Sequence, residues 1–363
     1  MAGQAAAALR TGVILAGGFD AHSTVGVSRL PVLAPIANKP IVCYALEALA
    51  SAGIEDVAIV VSRESRGEIG EIVTDGTGFG LRVAYVEQAE PLGPAQSLLA
   101  AAEFVEGRAF VLHRGDGLFR SNLRALVEEF ERAELDALVL LEGTGTVQSH
   151  LAAVVEGDGA KPALTGRRSL RSRRALAGVQ AFGPRFLQAM RQFTPSLPDR
   201  LEMADAADRL AATGGRVVTR AGQWWWPCDG SPRELLRTNR LVLDELRGEV
   251  SGVDLLDSRV EGRVVIHPSA TVVMSTIRGP AIIGPHACLS HAYVGPYTSI
   301  GGGVVIEGAE IEDSIIFPDV VVRHLGRRLE GSVVGRKAKL HRDFSVPAAL
   351  RMWVGDHVEV SLG

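Results

Sequence analysis

The apolar positions of this chain follow two patterns, which change over near Val250. Upstream of that point, short apolar runs typical of buried strands alternate with segments in which apolar residues recur at helical spacing. Strands are predicted at 57–61, 81–86, 109–113, 137–141, 177–182 and 217–220, and helices at 41–52, 95–104, 123–133, 184–193, 201–213 and 233–246. This alternation predicts a doubly wound α/β domain with a mostly parallel sheet, whose ligands bind at the carboxyl ends of the strands.

Downstream of Val250, aliphatic residues recur at intervals of five or six. They are Ile266, Val272, Ile277, Ile283, Leu289, Val294, Ile300, Ile306, Ile311 and Ile316. Several are followed directly by glycine, as in Ile283-Gly284 and Ile300-Gly301. A repeat of this length with small residues between the aliphatic positions predicts a parallel β-helix, in which each coil stacks its aliphatic residues on those of the next.

Composition and charge exclude several classes of function. The 363 residues are 47% hydrophobic and 22% charged, and a net charge of −4 gives no electrostatic reason to expect nucleic acid or an anionic membrane as partner. The three cysteines, Cys43, Cys228 and Cys288, lack metal-ligand spacing. With no apolar run of membrane-spanning length and no secretion signal at the start, the sequence predicts a cytoplasmic protein.

The first strand runs into two glycines, Gly17 and Gly18, and the segment 35–40 reads PIANKP. The N–H groups of such a bare loop can face the phosphates of a ligand. Strand, LAGG, loop and ANKP resemble the opening of the sugar-1-phosphate nucleotidylyltransferases, particularly the long dTDP-glucose synthase type. That family joins a nucleoside triphosphate to a sugar 1-phosphate and releases pyrophosphate.

The resemblance extends from about Gly12 to Val360 and implies a Rossmann-like nucleotidyltransferase domain followed by a left-handed β-helix. We predict a tail at 1–11, the nucleotidyltransferase-like domain at 12–247 and the β-helix domain at 250–363. The resemblance also implies the nucleotide-binding positions, which are Leu15, Ala16, Gly17, Gly18, Gln88, as the reader of the base, and Gly93. A strand-to-helix turn would need Gly93 for its backbone freedom whether or not a ligand binds.

The resemblance places the first metal-binding carboxylate at Asp116, a suitable ligand for Mg²⁺ at the end of a strand. The second metal-binding Asp of the family falls on Cys228, and a thiol is a poor Mg²⁺ ligand. Asp229 follows directly, but neighbouring side chains of an extended segment point to opposite sides, so Asp229 would need a shifted loop. Mg²⁺ is therefore a candidate cofactor whose second ligand is in question.

The groups that would hold phosphate also depart from the family. Asp20 stands where the family has Gly, His22 where it has Arg, and Pro31 where it has Lys. A carboxylate beside a triphosphate is repelled by it. Arg29 is the candidate to replace the missing Lys. The arginines 167, 168, 171, 173 and 174 could grip phosphates or an acidic partner, or form a solvated loop.

The sugar side of the site offers two candidates. Val179 matches the family's sugar-pocket Val, and Trp226 could stack on a sugar ring or belong to the core. The family's Glu-Lys-Pro stretch falls near 164–166, without Glu or Lys, and its sugar-contacting Gly falls on Leu151. The scattered histidines, His113, His150, His286 and His291, are interpreted as structural or surface residues.

Three functions fit this pattern. The favoured one is a degenerate homologue that binds a nucleotide or nucleotide sugar or partners an active paralogue, because the departures fall on the groups that handle phosphate and metal. The others are an active nucleotidylyltransferase with substituted catalytic residues and a different reaction on the same scaffold. We further expect a homo-oligomer, a dimer or tetramer, or a hetero-oligomer with an active paralogue, held by the β-helix.

Overall fold

A computed structural model describes residues 8–17, 30–89, 93–142, 152–156, 163–165, 173–192, 203–250 and 252–342. The chain divides into two compact units. The first holds most of the chain up to Cys228, and the second holds Ala34–Pro40 together with the chain from Asp229 onward. No helix among the described residues is long and apolar enough to cross a membrane. The predicted domain boundaries at 247 and 250 stay predictions.

The elements follow the predicted alternation. The strands up to Pro227 are β1 (Thr11–Leu15), β2 (Pro35–Ile36), β3 (Lys39–Pro40), β4 (Asp56–Val61), β5 (Arg82–Glu87), β6 (Phe110–Arg114), β7 (Gly117–Phe119), β8 (Ala137–Glu142), β9 (Ala152–Glu156), β10 (Ala163–Thr165), β11 (Arg173–Phe182), β12 (Val217–Gly222) and β13 (Trp225–Pro227). The helices are α1 (Ile41–Ser51), α2 (Arg66–Val73), α3 (Pro94–Ala100), α4 (Ala102–Val105), α5 (Leu123–Arg132), α6 (Pro184–Arg191), α7 (Met203–Ala212) and α8 (Pro232–Asp244). Short 3₁₀ turns lie at Pro31–Leu33 and Thr77–Phe79.

The main sheet of the first unit has the strand order β10-β9-β11-β6-β1-β4-β5, and β8 joins β11 to β12. The pairs β6-β1, β1-β4, β4-β5 and β8-β12 are parallel, whereas β11 runs antiparallel to β6 and β8. Both faces of the sheet are covered, since one apolar cluster includes residues of α1 and α5 and another includes residues of α3, α6 and α7. The predicted doubly wound α/β architecture is therefore confirmed, with antiparallel pairing where β11 meets β6, β8 and β9 and where β10 meets β9.

The second unit contains the predicted parallel β-helix. Its strands are β14 (Glu249–Val250), β15 (Asp254–Leu256), β16 (Arg259–Glu261), β17 (Val264–Ile266), β18 (Thr271–Val273), β19 (Thr276–Arg278), β20 (Ala281–Ile283), β21 (Cys288–Ser290), β22 (Tyr293–Val294), β23 (Thr298–Ile300), β24 (Val305–Glu307), β25 (Glu310–Glu312), β26 (Ile315–Ile316), β27 (Val321–Arg323), β28 (Leu329–Glu330), β29 (Val333–Val334) and β30 (Lys339–His341). Every third strand pairs in parallel, which gives three sheets.

The aliphatic repeat forms the core of these coils. All ten residues of the predicted repeat are at most 3% exposed. They stack in register, as in Ile266 on Ile283 and Ile283 on Ile300. At one corner the backbone turns through the left-handed region once per coil, and the residues there are Asp257, Met274, His291, Gly308 and His324. Such a turn fits a short corner between strands, although only glycine adopts it without steric cost.

Candidate functional site

The ends of β1 and β6 lie side by side at the carboxyl edge of the main sheet. Leu15 is the register partner of Arg114, and the backbone N–H of Gly115 donates to the carbonyl of Leu15 at 2.8 Å. Ala16 donates likewise to Val60 at 2.8 Å. The structure thus brings the start of the LAGG segment next to the segment that carries Asp116, as expected for strands of a doubly wound sheet.

Gly17 is required by this packing. A Cβ at Gly17 would lie 2.6 Å from the backbone carbon of Val61, closer than any side chain allows. The close approach of two backbones explains the glycine independently of a ligand. Gly18 lies outside the described residues, as do Asp20, His22, Arg29 and Leu151.

Gln88 joins the same edge. Its backbone N–H donates to Val61 at 2.9 Å, and its side-chain Nε2 donates to the carbonyl of Gly17 at 3.4 Å. The residue is buried, at 7% exposure. The predicted base-reading residue and the predicted phosphate-facing loop are therefore in direct contact.

Gly93 stands immediately before Pro94, the first residue of α3. Its backbone has φ 98° and ψ 173°, a conformation that is essentially restricted to glycine. A Cβ there would meet no atom within 4 Å, so the requirement comes from the dihedral angles and not from crowding. The turn needs Gly93 on backbone grounds alone, which leaves its role in a base pocket as a prediction.

The two predicted metal positions face each other. Strand β13 pairs antiparallel with β7, with Pro227 opposite Gly117, and the N–H of Cys228 donates to the carbonyl of Asp116 at 2.8 Å. Cys228 is fully buried. Asp229 belongs to the second unit and is exposed, and its Oδ1 accepts the N–H of Ser231 at 2.8 Å in the turn before α8.

The carboxylate of Asp116 is engaged by Arg114. Nε of Arg114 donates to Oδ1 at 3.0 Å, and Nη2 donates to Oδ2 at 2.5 Å. The two side chains are 28% and 17% exposed. The negative charge of Asp116 raises the pKa of Arg114 above its usual value, so the guanidinium stays charged. A guanidinium that bonds both oxygens competes with a metal for the same lone pairs.

His113 and Trp225 form the packing beneath this pair. His113 is buried, which lowers its pKa from 6.5 to about 4, and its Nδ1 donates to the carbonyl of Arg114 at 2.5 Å. Its ring contacts Trp225 edge-on, with the ring centroids 5.4 Å apart. The indole lies so close to Gly117 and Gly178 that a Cβ at either would come within 2.4 Å of it. His113 is thus a buried packing residue, one of the two roles expected for the scattered histidines.

The sugar-pocket candidates are placed differently from each other. The side chain of Val179 is buried in the apolar cluster that includes α1 and α5, so a ligand at this position would contact the backbone. Trp226 is only half-buried and pairs with Leu118 across the β7–β13 ladder. Pro31, which stands where the family has Lys, is buried in the 3₁₀ turn Pro31–Leu33.

The segment 163–165 is strand β10, paired with β9. The arginines 167, 168 and 171 lie outside the described residues. Arg173 and Arg174 are the first two residues of strand β11. The role of this basic segment stays a prediction. Among the described residues, no group of three or more His, Cys, Asp or Glu side chains is arranged to hold a metal ion.

Sequence reasoning missed the roles of Arg114 and Trp225. The sequence did contain a signal for Arg114. It lies two residues before Asp116, and residues two apart in an extended chain point to the same side. Trp225 contacts Gly117 and Gly178, residues far from it in sequence, and no local pattern marks such a contact.

Comparisons with known proteins agree with this fold. The sequence profile of the nucleotidyl transferase family matches residues 11–158. The chain is 34% identical over 353 residues to a glucose-1-phosphate thymidylyltransferase of Streptomyces antibioticus, covering 96% of this chain and 99% of the relative. It is 32% identical to the low-salt glycan biosynthesis nucleotidyltransferase Agl11 of Haloferax volcanii, covering 97% and 99%. A Bacillus anthracis structure assigned as a glucose-1-phosphate thymidylyltransferase, in complex with a sucrose, superposes with a TM-score of 0.56 at 25% identity, covering 66% of this chain and 97% of that one.

Proposed function

Because the chain belongs to the sugar-1-phosphate nucleotidylyltransferase family, we propose that it binds a nucleotide or nucleotide sugar without carrying out nucleotidyl transfer. It would act alone or as the partner of an active paralogue. The observation that carries this proposal concerns Cys228, the residue on which the resemblance puts the second metal-binding Asp: it is fully buried, and its N–H donates to the carbonyl of Asp116.

The loss of catalysis follows from the charges that the reaction needs. Transfer of a nucleotidyl group develops negative charge on phosphate oxygens, which divalent metal and fixed cations neutralise. Cys228 offers a buried thiol in place of a carboxylate, and Pro31 offers no cation in place of the family's Lys. Both substitutions replace a charged residue of the family with an uncharged one, whereas the surrounding fold is retained.

Retained ligand binding rests on the edge formed by Leu15, Ala16, Gly17 and Gln88. The hydrogen bond from Gln88 to Gly17 ties the base-reading candidate to the loop that would face phosphate. Ala16 and Gln88 use their backbone N–H groups within the sheet, so Gly17, at the end of the parallel strand, is the candidate to donate to an anionic ligand with or without catalysis.

A second candidate is an active enzyme of the dTDP-glucose type with substituted catalytic residues. It is favoured by the 34% identity to a thymidylyltransferase over 96% of the chain. The two candidates differ in product formation, and both require ligand binding.

Mass spectrometry of reaction mixtures separates them. The purified protein is incubated with Mg²⁺, each common nucleoside triphosphate and a panel of sugar 1-phosphates, and we expect no nucleotide sugar above the level without protein. A thermal-shift screen of nucleotides and nucleotide sugars should give at least one stabilising ligand, because a ligand of the folded state raises its apparent stability. A new nucleotide sugar supports the second candidate, and no stabilising ligand at millimolar concentration contradicts binding.

A further inference from the structure

Arg114 and Asp116 form a bidentate ion pair. Nε and Nη2 of the guanidinium each donate to a different carboxylate oxygen, at 3.0 and 2.5 Å. Arginine matches a carboxylate in this way because its planar fork presents two parallel N–H groups. The pair uses two of the five N–H groups of the guanidinium, and the remaining three are not part of the ion pair.

The backbone on both sides of the pair is fixed. Gly115 donates to the carbonyl of Leu15, and the carbonyl of Asp116 accepts the N–H of Cys228, each at 2.8 Å. The carbonyl of Arg114 itself accepts Nδ1 of the buried His113. Three hydrogen bonds thus hold the segment from Arg114 to Asp116, so the two side chains are positioned before any ligand arrives.

The position of the pair is the position of the metal in the family pattern. Arg114 ends β6 beside Leu15, which ends β1, so its charge lies at the edge where the LAGG segment begins. The set of donors around Asp116 does not fit Mg²⁺: both carboxylate oxygens accept from a cation, and the facing residue is a buried thiol. A fixed positive charge stands where the family would place a divalent one.

We propose that Arg114 replaces the divalent cation, so that the site takes the phosphates of a nucleoside diphosphate sugar without metal, and that Asp116 is a positioning residue for Arg114. This inference rests on the proposed function. A half-buried guanidinium forms short, charge-assisted hydrogen bonds to phosphate oxygens and needs no dehydration of a metal ion. A single positive charge is better matched to a diphosphate than to a triphosphate, which carries more negative charge.

The first arm of the test measures metal binding directly and needs no ligand. Mn²⁺ is titrated into the purified full-length protein, and the concentration of bound Mn²⁺ is determined by electron paramagnetic resonance. We expect no site of micromolar affinity in the natural protein. We expect one in the double variant Arg114→Gln with Cys228→Asp, which frees one carboxylate and restores the second. The control variant Arg124→Gln, at an exposed helix position, should behave like the natural protein.

The second arm measures ligand affinity by calorimetry with dTDP-glucose and UDP-glucose as probes, in EDTA and in excess Mg²⁺. The dissociation constant of the natural protein for the better probe should agree within about two-fold between the two buffers, and Arg114→Gln should weaken it by at least about ten-fold. Arg124→Gln should leave it unchanged.

Micromolar Mn²⁺ binding by the natural protein, or an affinity that rises about ten-fold or more with Mg²⁺, overturns the inference even if the Arg114 variants fail to fold. Failure of both probes to bind removes the proposed function and the ligand half of the inference together. The Mn²⁺ signal of the natural protein then decides separately whether Arg114 excludes the metal.

Discussion

The side-chain oxygen of Asn239 accepts a hydrogen bond from the backbone N–H of Ala37, 202 residues earlier in the chain, at 2.9 Å. The same oxygen accepts the hydroxyl of Ser299 at 2.7 Å, and Nδ2 of Asn239 donates to the carbonyl of Tyr297 at 3.1 Å. All four residues belong to the second unit. Asn239, on α8, therefore ties the ANKP hairpin to the β-helix through a fully buried amide.

Removal of this amide should destabilise the protein. Asn239→Ala leaves the N–H of Ala37 and the hydroxyl of Ser299 without their acceptor, and we expect a loss of about 2–4 kcal/mol in the free energy of unfolding. Asn122→Ala, which removes an exposed N-cap from α5, should cost about 1 kcal/mol. Urea unfolding measures both, and equal losses would contradict the role given to Asn239.

Substitution by alanine should have opposite effects at two glycines, because only one of them lies against Trp225. A Cβ at Gly178 would lie 2.3 Å from the indole, so Gly178→Ala should destabilise by about 1–3 kcal/mol through overpacking. Gly67, within α2, has no atom within 4 Å of such a Cβ, so Gly67→Ala should be neutral or stabilise by up to about 1 kcal/mol. Thermal unfolding of both variants checks the signs. Tolerance of Gly178→Ala would show that the indole is not fixed against β11.

Burial of His113 predicts a loss of stability in acid. Its pKa is lowered to about 4 in the folded state from 6.5, so the unfolded state binds the extra proton between these values. The contribution of His113 is fully present above pH 6.5 and falls as the pH drops towards 4, by about 2–3 kcal/mol at pH 4.5. Urea unfolding at pH 7 and pH 4.5 should show a smaller difference for His113→Gln than for the natural protein. An equal difference would assign the acid sensitivity to other groups.

The β-helix is the expected assembly module. Leu256 and Met274 are 57% and 53% exposed, and Met274 donates its N–H to the carbonyl of Leu256, so the two adjoin on one surface. We expect a dimer or tetramer by light scattering, and dissociation when both residues are changed to Glu. Ile72→Glu, at an exposed apolar position of α2, is the control and should leave the assembly intact. A monomeric natural protein, or an assembly indifferent to the double change, would rule out this surface.

Much of the fold could be predicted from the sequence because its apolar residues recur at a short, regular spacing. The aliphatic residues from Ile266 to Ile316 mark the β-helix, since each coil buries the same position. The parts that could not be predicted depend on contacts between distant residues. No local pattern marks the pairing of β7 with β13, which sets Cys228 against Asp116. The same is true of the contact between Asn239 and Ala37.

The candidate site divides in the same way. The family resemblance pointed to Asp116 and Cys228 as metal positions, which stays a prediction, and the structure shows that the backbones of the two residues are hydrogen-bonded to each other. Both carboxylate oxygens of Asp116 accept hydrogen bonds from Arg114, and the structure was needed to show this pairing, which the sequence spacing only allowed. A resemblance therefore predicts where a site lies, while the neighbouring residues decide which chemistry the site can perform.

The proposed loss of nucleotidyl transfer is tested most directly by the rate of pyrophosphate release by the natural protein with Mg²⁺, dTTP and glucose 1-phosphate, in a continuous coupled assay. We expect a rate equal to that without protein, because the proposal has Arg114 occupy the carboxylate of Asp116 and has the buried thiol of Cys228 in place of a second carboxylate. The Streptomyces antibioticus relative serves as the positive control. Turnover by the natural protein at about one per second, an ordinary rate for an enzyme, would contradict it.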